Sequence, residues 1–453
     1  MARAKKEAAL TPEERLQAAL VPDWEWPYKL PENWCWTTVG AINQYVGISS
    51  NPTKAKNETF ELYSVPSSAD NYPEIVLGAD IGSTKQSVKK GDVLLCKINP
   101  RINRVWKVSK YTDHSLLASS EWIVVRNSRL ISNYLMWCFR SPYFRGYMLS
   151  NVSGVGGSLM RAQPKFVQGY PVPVPPRAEQ QRIVDRIESL FAKLDEAKEK
   201  AQAVVDSFET RKAAILHKAF TGELTAKWRE EHGVGMESWE HHQFSDLCAI
   251  VRGGSPRPAG DPRYYDGNIP FMKVADITRN DSPYVSKVEY SIKEEGLKKT
   301  RMVEANTLLL TNSGATLGVP AITTIRTTFN DGIAAFIGID IDSLLFYYYF
   351  WTSKTAFLRS INMGAAQPNL NTKLIGEVEI DVPQTAERVE IARVLNALLS
   401  KEQQAKEAAE AVLDQIDLMK KSILARAFRG ELGTNDPSEE SALELLKRIL
   451  ESK

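Results

Sequence analysis

A long amphipathic segment occurs twice in this chain and limits what the chain can fold into. Residues 174–224 return as residues 382–432 at a constant offset of 208 positions, and the two copies agree at 22 of 51 positions without a gap. In both copies apolar residues recur every three or four positions for more than four heptads, which is the pattern of a coiled-coil seam. Each copy therefore needs a helical partner, because a single helix would leave its apolar stripe in water.

The two copies also share their start and stop signals. Pro175 and Pro383 precede the helices, and Gly222 and Gly430 stand where C-terminal caps are expected. Pairing with a second chain is one possibility, but the internal duplication favours an antiparallel pair within one chain, about 48 Å long at 1.5 Å per residue. The predicted seam consists of Ile183, Ile187, Leu190, Leu194, Ala197, Ala201, Val204, Phe208, Ile215, Ile391, Leu395, Leu398, Ala405, Ala409, Val412, Ile416, Met419 and Ile423.

The remaining sequence predicts two similar α/β domains joined by these helices, an α+β architecture with pseudo-twofold symmetry. Gly91–Leu95 in the first domain is matched by Ala305–Leu309 in the second. Both chain ends predict short helices, and whether these pair with each other stays open. The predicted segments are an N-terminal helix and arm (1–36), a first domain (37–173), a central helix (174–225), a linker (226–238), a second domain (239–381), a second central helix (382–432) and a helical tail (433–453).

Composition and motifs argue against membrane insertion and against catalysis. The most apolar run, Leu344 to Trp351, is too short to cross a bilayer, and the N-terminus lacks the apolar core of a secretory signal. Four scattered cysteines suit reduced thiols, so we expect a cytoplasmic protein. The chain has no phosphate-binding glycine loop, nucleophile elbow or zinc-binding helix. Asp331, Asp340 and Asp342 are compatible with a metal site, but acids at strand edges explain them equally well.

Charge and loop composition instead indicate nucleic-acid binding. Residues 37–172 contain 16 Lys and Arg against 8 Asp and Glu, a net charge of +8, whereas residues 237–382 contain 14 against 17, a net charge of −3. Basic and polar side chains occupy loops at corresponding places in the two domains, where Arg, Lys and Asn can contact phosphates and base edges. The candidate DNA-binding residues are Lys54, Lys56, Lys85, Lys97, Asn99, Arg101, Asn103, Arg104, Lys107, Arg252, Ser255, Arg257, Lys273, Arg279, Asn312 and Ser313.

With these features in view, the chain resembles the specificity subunits of type I restriction–modification enzymes over nearly its whole length. The Ala-Phe-x-Gly-Glu-Leu endings at 219–224 and 427–432, each beside a heptad seam, are the most specific signal. Further similarity lies at the Leu-Pro-Glu-Asn-Trp stretch and at three later motifs, namely residues 30–34, 91–105, 308–318 and 367–370.

The resemblance implies a non-catalytic DNA-reading subunit. Each domain would bind one half of a split target, and the helical pair would fix the gap between the halves. Two methyltransferase subunits and two ATP-driven translocase–nuclease subunits would be its partners, and S-adenosylmethionine, ATP and Mg²⁺ would bind to those partners and not to this chain. The competing hypothesis is a coiled-coil adaptor whose two domains bind proteins.

Overall fold

The computed structural model describes residues 11–154, 160–314, 316–360 and 370–453. It forms two compact units: unit 1 comprises Met1–Lys200 and Val412–Lys453, and unit 2 comprises Ala201–Ala411. Each unit therefore holds one globular domain and parts of both long helical segments. Residues 315 and 367–369, which belong to two of the motifs above, lie outside the described residues.

Unit 1 contains a short N-terminal helix and a mixed α/β domain that leads into the first long helix. Its strands form a five-stranded sheet in the order β2-β5-β8-β3-β4, a three-stranded sheet in the order β7-β6-β9, and the pairs β1-β12 and β10-β11. The elements are α1 (Pro12–Ala19), β1 (Cys35–Thr38), α2 (Val39–Ile42), β2 (Ser49–Ser50), β3 (Thr59–Tyr63), β4 (Glu74–Leu77), β5 (Lys85–Ser87), β6 (Val93–Cys96), β7 (Val105–Lys107), β8 (Ser115–Ala118), β9 (Trp122–Val125), α3 (Ser132–Arg140), α4 (Pro142–Ser150), β10 (Val152–Ser153), β11 (Arg161–Ala162), α5 (Pro164–Val167), β12 (Pro171–Val174) and α6 (Arg177–Asp206).

Unit 2 also contains a mixed α/β domain and parts of the long helices, but the order of strands in its sheets differs from that in unit 1. Its sheets have the orders β14-β22-β19-β20-β16 and β17-β15-β21-β18, and β13 pairs with β23. The elements are α7 (Phe208–Phe220), α8 (Ala226–His232), β13 (Glu240–Gln243), α9 (Phe244–Leu247), β14 (Ala249–Arg252), β15 (Tyr265–Met272), α10 (Val274–Thr278), β16 (Tyr284–Val285), β17 (Tyr290–Ile292), α11 (Glu294–Leu297), β18 (Arg301–Val303), β19 (Thr307–Thr311), β20 (Pro320–Thr323), β21 (Thr327–Phe329), β22 (Ile333–Ile337), α12 (Leu344–Ser360), α13 (Thr372–Gly376), β23 (Glu379–Val382) and α14 (Thr385–Ala427); unit 1 then closes with α15 (Ala442–Glu451).

Each of the two domains contains a buried antiparallel strand pair. In unit 1, β6 pairs with β9, and in unit 2, β19 pairs with β22. All residues of β6, β9 and β19 are buried, as expected for continuous apolar runs covered on both faces. The predicted match between Gly91–Leu95 and Ala305–Leu309 falls on β6 and β19, so this part of the duplication lies in the core.

The long helices pair antiparallel within each unit. In unit 1, Ile183 and Ile187 share a core with Leu424 and Ala427, while Asp195, further along the first helix, pairs with Lys420, which comes earlier in the second. In unit 2, Arg211 of α7 pairs with Glu402 of α14. Leu216, which follows Arg211 in α7, shares a core with Ile391, which precedes Glu402 in α14. The antiparallel pair predicted within one chain is therefore present.

Three seam positions of the second copy lie one residue later than predicted, whereas Ile391, Leu395, Ala409 and Ile416 are buried as predicted. Ala405, Val412 and Met419 are exposed, whereas their neighbours Lys406, Leu413 and Lys420 are half-buried. The two lysines lie over aromatic rings of the first helical segment, Lys406 over Phe208 at 4.9 Å and Lys420 over Phe191 at 5.1 Å from the ring centroids. The aliphatic parts of Lys406 and Lys420 and their cation–π contacts thus replace the seam contacts that the apolar pattern predicted for Ala405 and Met419.

The first helical copy is interrupted, which corrects the expectation of one continuous helix. α6 ends at Asp206 and α7 begins at Phe208. Ser207 donates its hydroxyl to the Ala203 carbonyl, and the Arg211 guanidinium donates to the Val204 carbonyl at 3.2 Å. Side-chain donors that compete for helix carbonyls break the regular ladder at this point.

The chain ends and the predicted linker both belong to folded cores. Leu16 and Ala19 of α1 lie in one cluster with Leu446 and Ile449 of α15, so the two tails pair, a question that the sequence left open. Residues 226–238 were expected to form a simple linker, but they contain α8, whose Arg229 is buried. The sequence of this short segment alone does not show that the charged side chain of Arg229 is buried.

Replacing Leu446 with alanine should lower the free energy of unfolding by about 2–5 kcal/mol, because the side chain is completely buried between the tails and the first domain. Denaturant unfolding of the full chain measures the effect. Leu418→Ala is the control, since Leu418 is 63% exposed and its truncation should change stability little. Equal effects of the two changes would contradict docking of the tail.

Candidate nucleic-acid interface

In unit 2, the ends of three strands bring most of the predicted residues to one surface. β14 and β19 both run antiparallel to β22, so Arg252 at the end of β14 and Asn312 after β19 lie beside the start of β22. Lys273 follows β15, whose neighbour β21 leads into the turn before β22. The unit 2 surface is defined here by the residues Arg252, Ser255, Arg257, Lys273, Ser313 and Asp331.

Asp331 contacts three other residues of this surface, Arg252, Ser255 and Arg257. Its carboxylate accepts a hydrogen bond from the Ser255 hydroxyl at 2.5 Å and lies 3.5 Å from the Arg257 guanidinium, while its backbone carbonyl accepts from Arg252 Nε at 2.7 Å. Partial burial raises the pKa of Asp331, but the Ser255 hydrogen bond and the two arginines outweigh it, so the pKa lies below its usual value. The carboxylate is therefore ionised at neutral pH.

Close backbone approach holds the Asn312 loop against the turn that carries Asp331. The Asn312 amide donates to the Gly332 carbonyl at 2.9 Å. A Cβ atom at Gly332 would lie 2.8 Å from Val274 Cγ2 and 2.9 Å from Ser313 Oγ, so any other residue here would displace one or both of these side chains. Asn312 is completely buried, which corrects the prediction that its side chain contacts DNA, whereas Ser313 is half-buried at the surface.

In unit 1, the loop between β6 and β7 forms the corresponding surface. Asn99 and Asn103 adopt left-handed conformations with φ of 44° and 56°, which asparagine tolerates better than most residues. The side-chain amide of Asn103 donates to the Arg140 carbonyl at 3.0 Å, and the backbone amide of Asn99 donates to the Met160 carbonyl at 2.8 Å. These contacts fix the loop and leave Arg101 exposed.

The other candidates of unit 1 are less uniform. Lys107 donates to Asn133 at 2.6 Å, so its ammonium group already has a protein partner, as does the amide of Asn103. Lys97 and Arg104 are half-buried at the two ends of the loop. Lys54, Lys56 and Lys85 lie around the five-stranded sheet and not on the three-stranded sheet that carries the loop.

Comparison with known proteins identifies the family. Residues 236–411 match the type I restriction modification DNA specificity domain. The MjaIX specificity subunit of Methanocaldococcus jannaschii is 30% identical over 164 residues, 35% of this chain and 38% of that protein. The EcoKI specificity subunit of Escherichia coli K12 is 21% identical over 464 residues, 93% of this chain and 96% of that protein. The fold is shared with the HsdS subunit from Thermoanaerobacter tengcongensis, with a TM-score of 0.68 at 20% identity over 90% of this chain and 100% of that chain.

Residues 236–411 therefore belong to the type I restriction–modification DNA specificity domain family, and the chain is similar to type I specificity subunits over nearly its whole length.

These comparisons do not favour the adaptor hypothesis. Within the described residues, no three His, Cys, Asp or Glu side chains gather as a metal site would require. The described helices are also too short or too polar to cross a membrane.

Two residues at these surfaces, Arg161 and Asp331, were not among the predicted DNA-binding residues. Arg161 is exposed beside the unit 1 loop, where it forms a β-bridge with Ile98 and lies 3.6 Å from Glu121. Asp331 appeared in the sequence only as one member of a doubtful acidic set. No local signal marks either residue, because both reach the surfaces through strand pairing. The predicted residue Arg279 lies 4.0 Å from Glu289, and its side chain is 78% exposed.

Proposed function

We propose that each globular domain of this specificity subunit reads one part of a two-part DNA target. The observation that carries the proposal is the repetition of one arrangement. In unit 1 the Lys97 amide donates to the Glu121 carbonyl at 2.9 Å, and in unit 2 the Asn312 amide donates to the Gly332 carbonyl at 2.9 Å. Each domain thus anchors a polar loop at the same end of its buried strand pair, while the loop side chains differ.

The side chains at these loops fit the two kinds of contact that DNA recognition needs. Exposed cations such as Arg101 and Arg257 can bind phosphates or guanine edges, and the hydroxyl of Ser313 can bind either phosphate or base. The unit 2 sequence carries a net negative charge, so its phosphate contacts are few and local, and further phosphate contacts come from partner subunits.

The paired helices are proposed to set the gap between the two half-sites and to dock the methyltransferase subunits. On α14 within unit 1, Leu418 is 63% exposed, Met419 46% and Val412 42%. Such apolar residues on the outer face of an already paired helix suit a further helical partner.

The assembly that we propose contains two methyltransferase and two translocase–nuclease subunits in the cytoplasm. S-adenosylmethionine, ATP and Mg²⁺ bind to those partners. This chain then contributes sequence recognition and no covalent chemistry of its own.

Replacing Arg101 and Arg104 together with alanine should abolish base discrimination in one half-site and weaken binding about 30- to 20,000-fold, since each arginine contributes about 1–3 kcal/mol and the two together about 2–6 kcal/mol. The measurement is selection of bound sequences from a randomised duplex library by the complex with its methyltransferase subunits.

Lys89→Ala with Lys90→Ala is the matched control, because these exposed lysines precede β6 at the end opposite to the loop. This double change removes the same charge from the same unit and should leave both half-sites intact. Loss of discrimination in both halves after the arginine changes, or in neither, would refute separate reading by the two domains.

A further inference from the structure

The unit 2 surface contains a negative charge where a DNA-binding surface would be expected to have none. Asp331 is held between Ser255 and Arg257, and 44% of its side chain is exposed. A carboxylate accepts hydrogen bonds only, and a duplex presents phosphate oxygens and base acceptors that repel it. The exposed donors in the major groove are the amino groups of adenine and cytosine.

The contacts of Asp331 leave one carboxylate oxygen available for such a donor. The Ser255 hydroxyl donates to Asp331 Oδ1 at 2.5 Å. The Arg257 guanidinium lies further away, 3.5 Å from Asp331 Oδ2, and the Arg257 side chain is 71% exposed. The Ser255 hydroxyl also accepts from the Asp331 amide at 3.4 Å, which fixes the turn. Arg257 can therefore turn towards a phosphate without disturbing the position of the carboxylate.

Unit 1 places an acidic residue at the corresponding turn. Glu121 directly precedes β9, as Asp331 and Gly332 precede β22, and its backbone carbonyl anchors the loop after β6. Glu121 Oε1 lies 3.6 Å from Arg161, and its Oε2 has no hydrogen-bond partner among the described residues. A carboxylate beside an arginine at the base of the loop is thus present in both domains.

We propose that Asp331 is a specificity-determining residue that accepts a hydrogen bond from the amino group of an adenine or cytosine in the half-site read by unit 2. This inference rests on the proposed function and adds a reader to it. The carboxylate rejects bases that present an acceptor at that place, because two acceptors would face each other without a proton. Ser255 acts as its positioning residue.

The test uses the full chain with its methyltransferase subunits and a randomised duplex library. Asp331→Asn keeps the size of the side chain but supplies a donor as well as an acceptor. We expect the preference for adenine or cytosine at one position of one half-site to fall about 5- to 150-fold, the equivalent of about 1–3 kcal/mol. Affinity for unrelated duplex should stay equal or rise, since a negative charge near phosphates is lost.

Asp342→Asn is the matched control, because Asp342 is exposed and follows β22 at the end opposite to the site. It should leave the selected target unchanged. A uniform loss of affinity with unchanged base preference in Asp331→Asn would show that Asp331 only positions the turn, and an unchanged target would overturn the proposal equally.

A second variant keeps the test decisive if Asp331→Asn does not fold. Asp331→Glu retains the charge and moves the carboxylate outwards by one methylene, so it should change the preferred base at the same position and nowhere else. Failure of the proposed function is distinguishable, because the unmodified protein would then select no two-part target at all.

Discussion

Replacing Glu387 with glutamine should lower the free energy of unfolding by about 3–5 kcal/mol, because it leaves a buried arginine without its counter-charge. Arg229 Nη1 lies 2.6 Å from Glu387 Oε1, and their side chains are only 9% and 2% exposed. The same carboxylate accepts from Thr225 at 2.6 Å and from the Trp239 indole at 3.0 Å. For a domain of this size the loss corresponds to a decrease in melting temperature of roughly 6–20 °C.

The helical duplication supplies a matched control for this change. Glu179 occupies the position equivalent to Glu387, 208 residues earlier, and it is also completely buried. It accepts from the Trp34 indole at 2.8 Å, from Asn435 at 2.8 Å and from Thr434 at 3.3 Å, and among the described residues no arginine forms a hydrogen bond with it. A glutamine amide can accept from Trp34 and Asn435 and donate to the Thr434 hydroxyl, so Glu179→Gln should cost about 1 kcal/mol or less.

The Glu179→Gln change should also alter how the stability of the protein depends on pH. Burial raises the pKa of Glu179, and hydrogen bonds from Asn435, Trp34 and Thr434 oppose this only in part. An acid whose pKa is raised by folding loses stability as the pH rises above its unfolded value. Glu179→Gln should therefore gain stability relative to the unmodified protein as the pH rises above about 4.5, the ordinary pKa of a glutamate. A loss at Glu179 as large as that at Glu387 would show that the arginine is not the cause of the difference.

Removing one heptad from each long helix should shorten the preferred gap between the half-sites by about three base pairs without changing either half-site. This prediction rests on the proposed function. Seven residues span about 10.5 Å of helix, and base pairs are about 3.4 Å apart. The deletion is residues 197–203 together with residues 410–416, since the pairs Asp195–Lys420 and Arg211–Glu402 locate these segments opposite each other in their respective units.

A whole heptad is required because it preserves the phase of the seam. Selection from duplex libraries with gaps of different length measures the result. Alanine at Lys198 and Glu199, both exposed in the same segment, is the control that changes composition without changing length, and its gap should stay as in the unmodified protein. An unchanged gap after the double deletion would refute the role of the helices as the spacer.

The elements that sequence predicted well are those whose signals are local. The long helices Arg177–Asp206 and Thr385–Ala427 follow directly from heptad periodicity. The left-handed caps at Gly222 and Gly430 follow from the absence of a side chain, with φ of 79° and 75°. Arg101 could be assigned to an exposed loop from its neighbours alone.

The parts that sequence did not predict depend on residues far apart in the chain. The seam shift at Lys406 and Lys420 arises because Phe208 and Phe191 of the other helical segment offer rings to the lysine side chains. Asp331 reaches the centre of the unit 2 surface because residues 252–257, 74–79 positions away in sequence, fold against its turn. A carboxylate in isolation gives no sign of such neighbours.

The sequence by itself determined that this protein has a duplicated helical pair and two similar domains, because heptad periodicity and 208-residue repetition are properties of the chain alone. Only the tertiary structure decided which side chains are available to bind DNA and which are used within the protein. Asn103 and Lys107 bond to the helix behind their loop, Glu387 neutralises Arg229, and Asp331 remains partly exposed. The physical reason is that availability depends on long-range partners, which spacing along the chain does not encode.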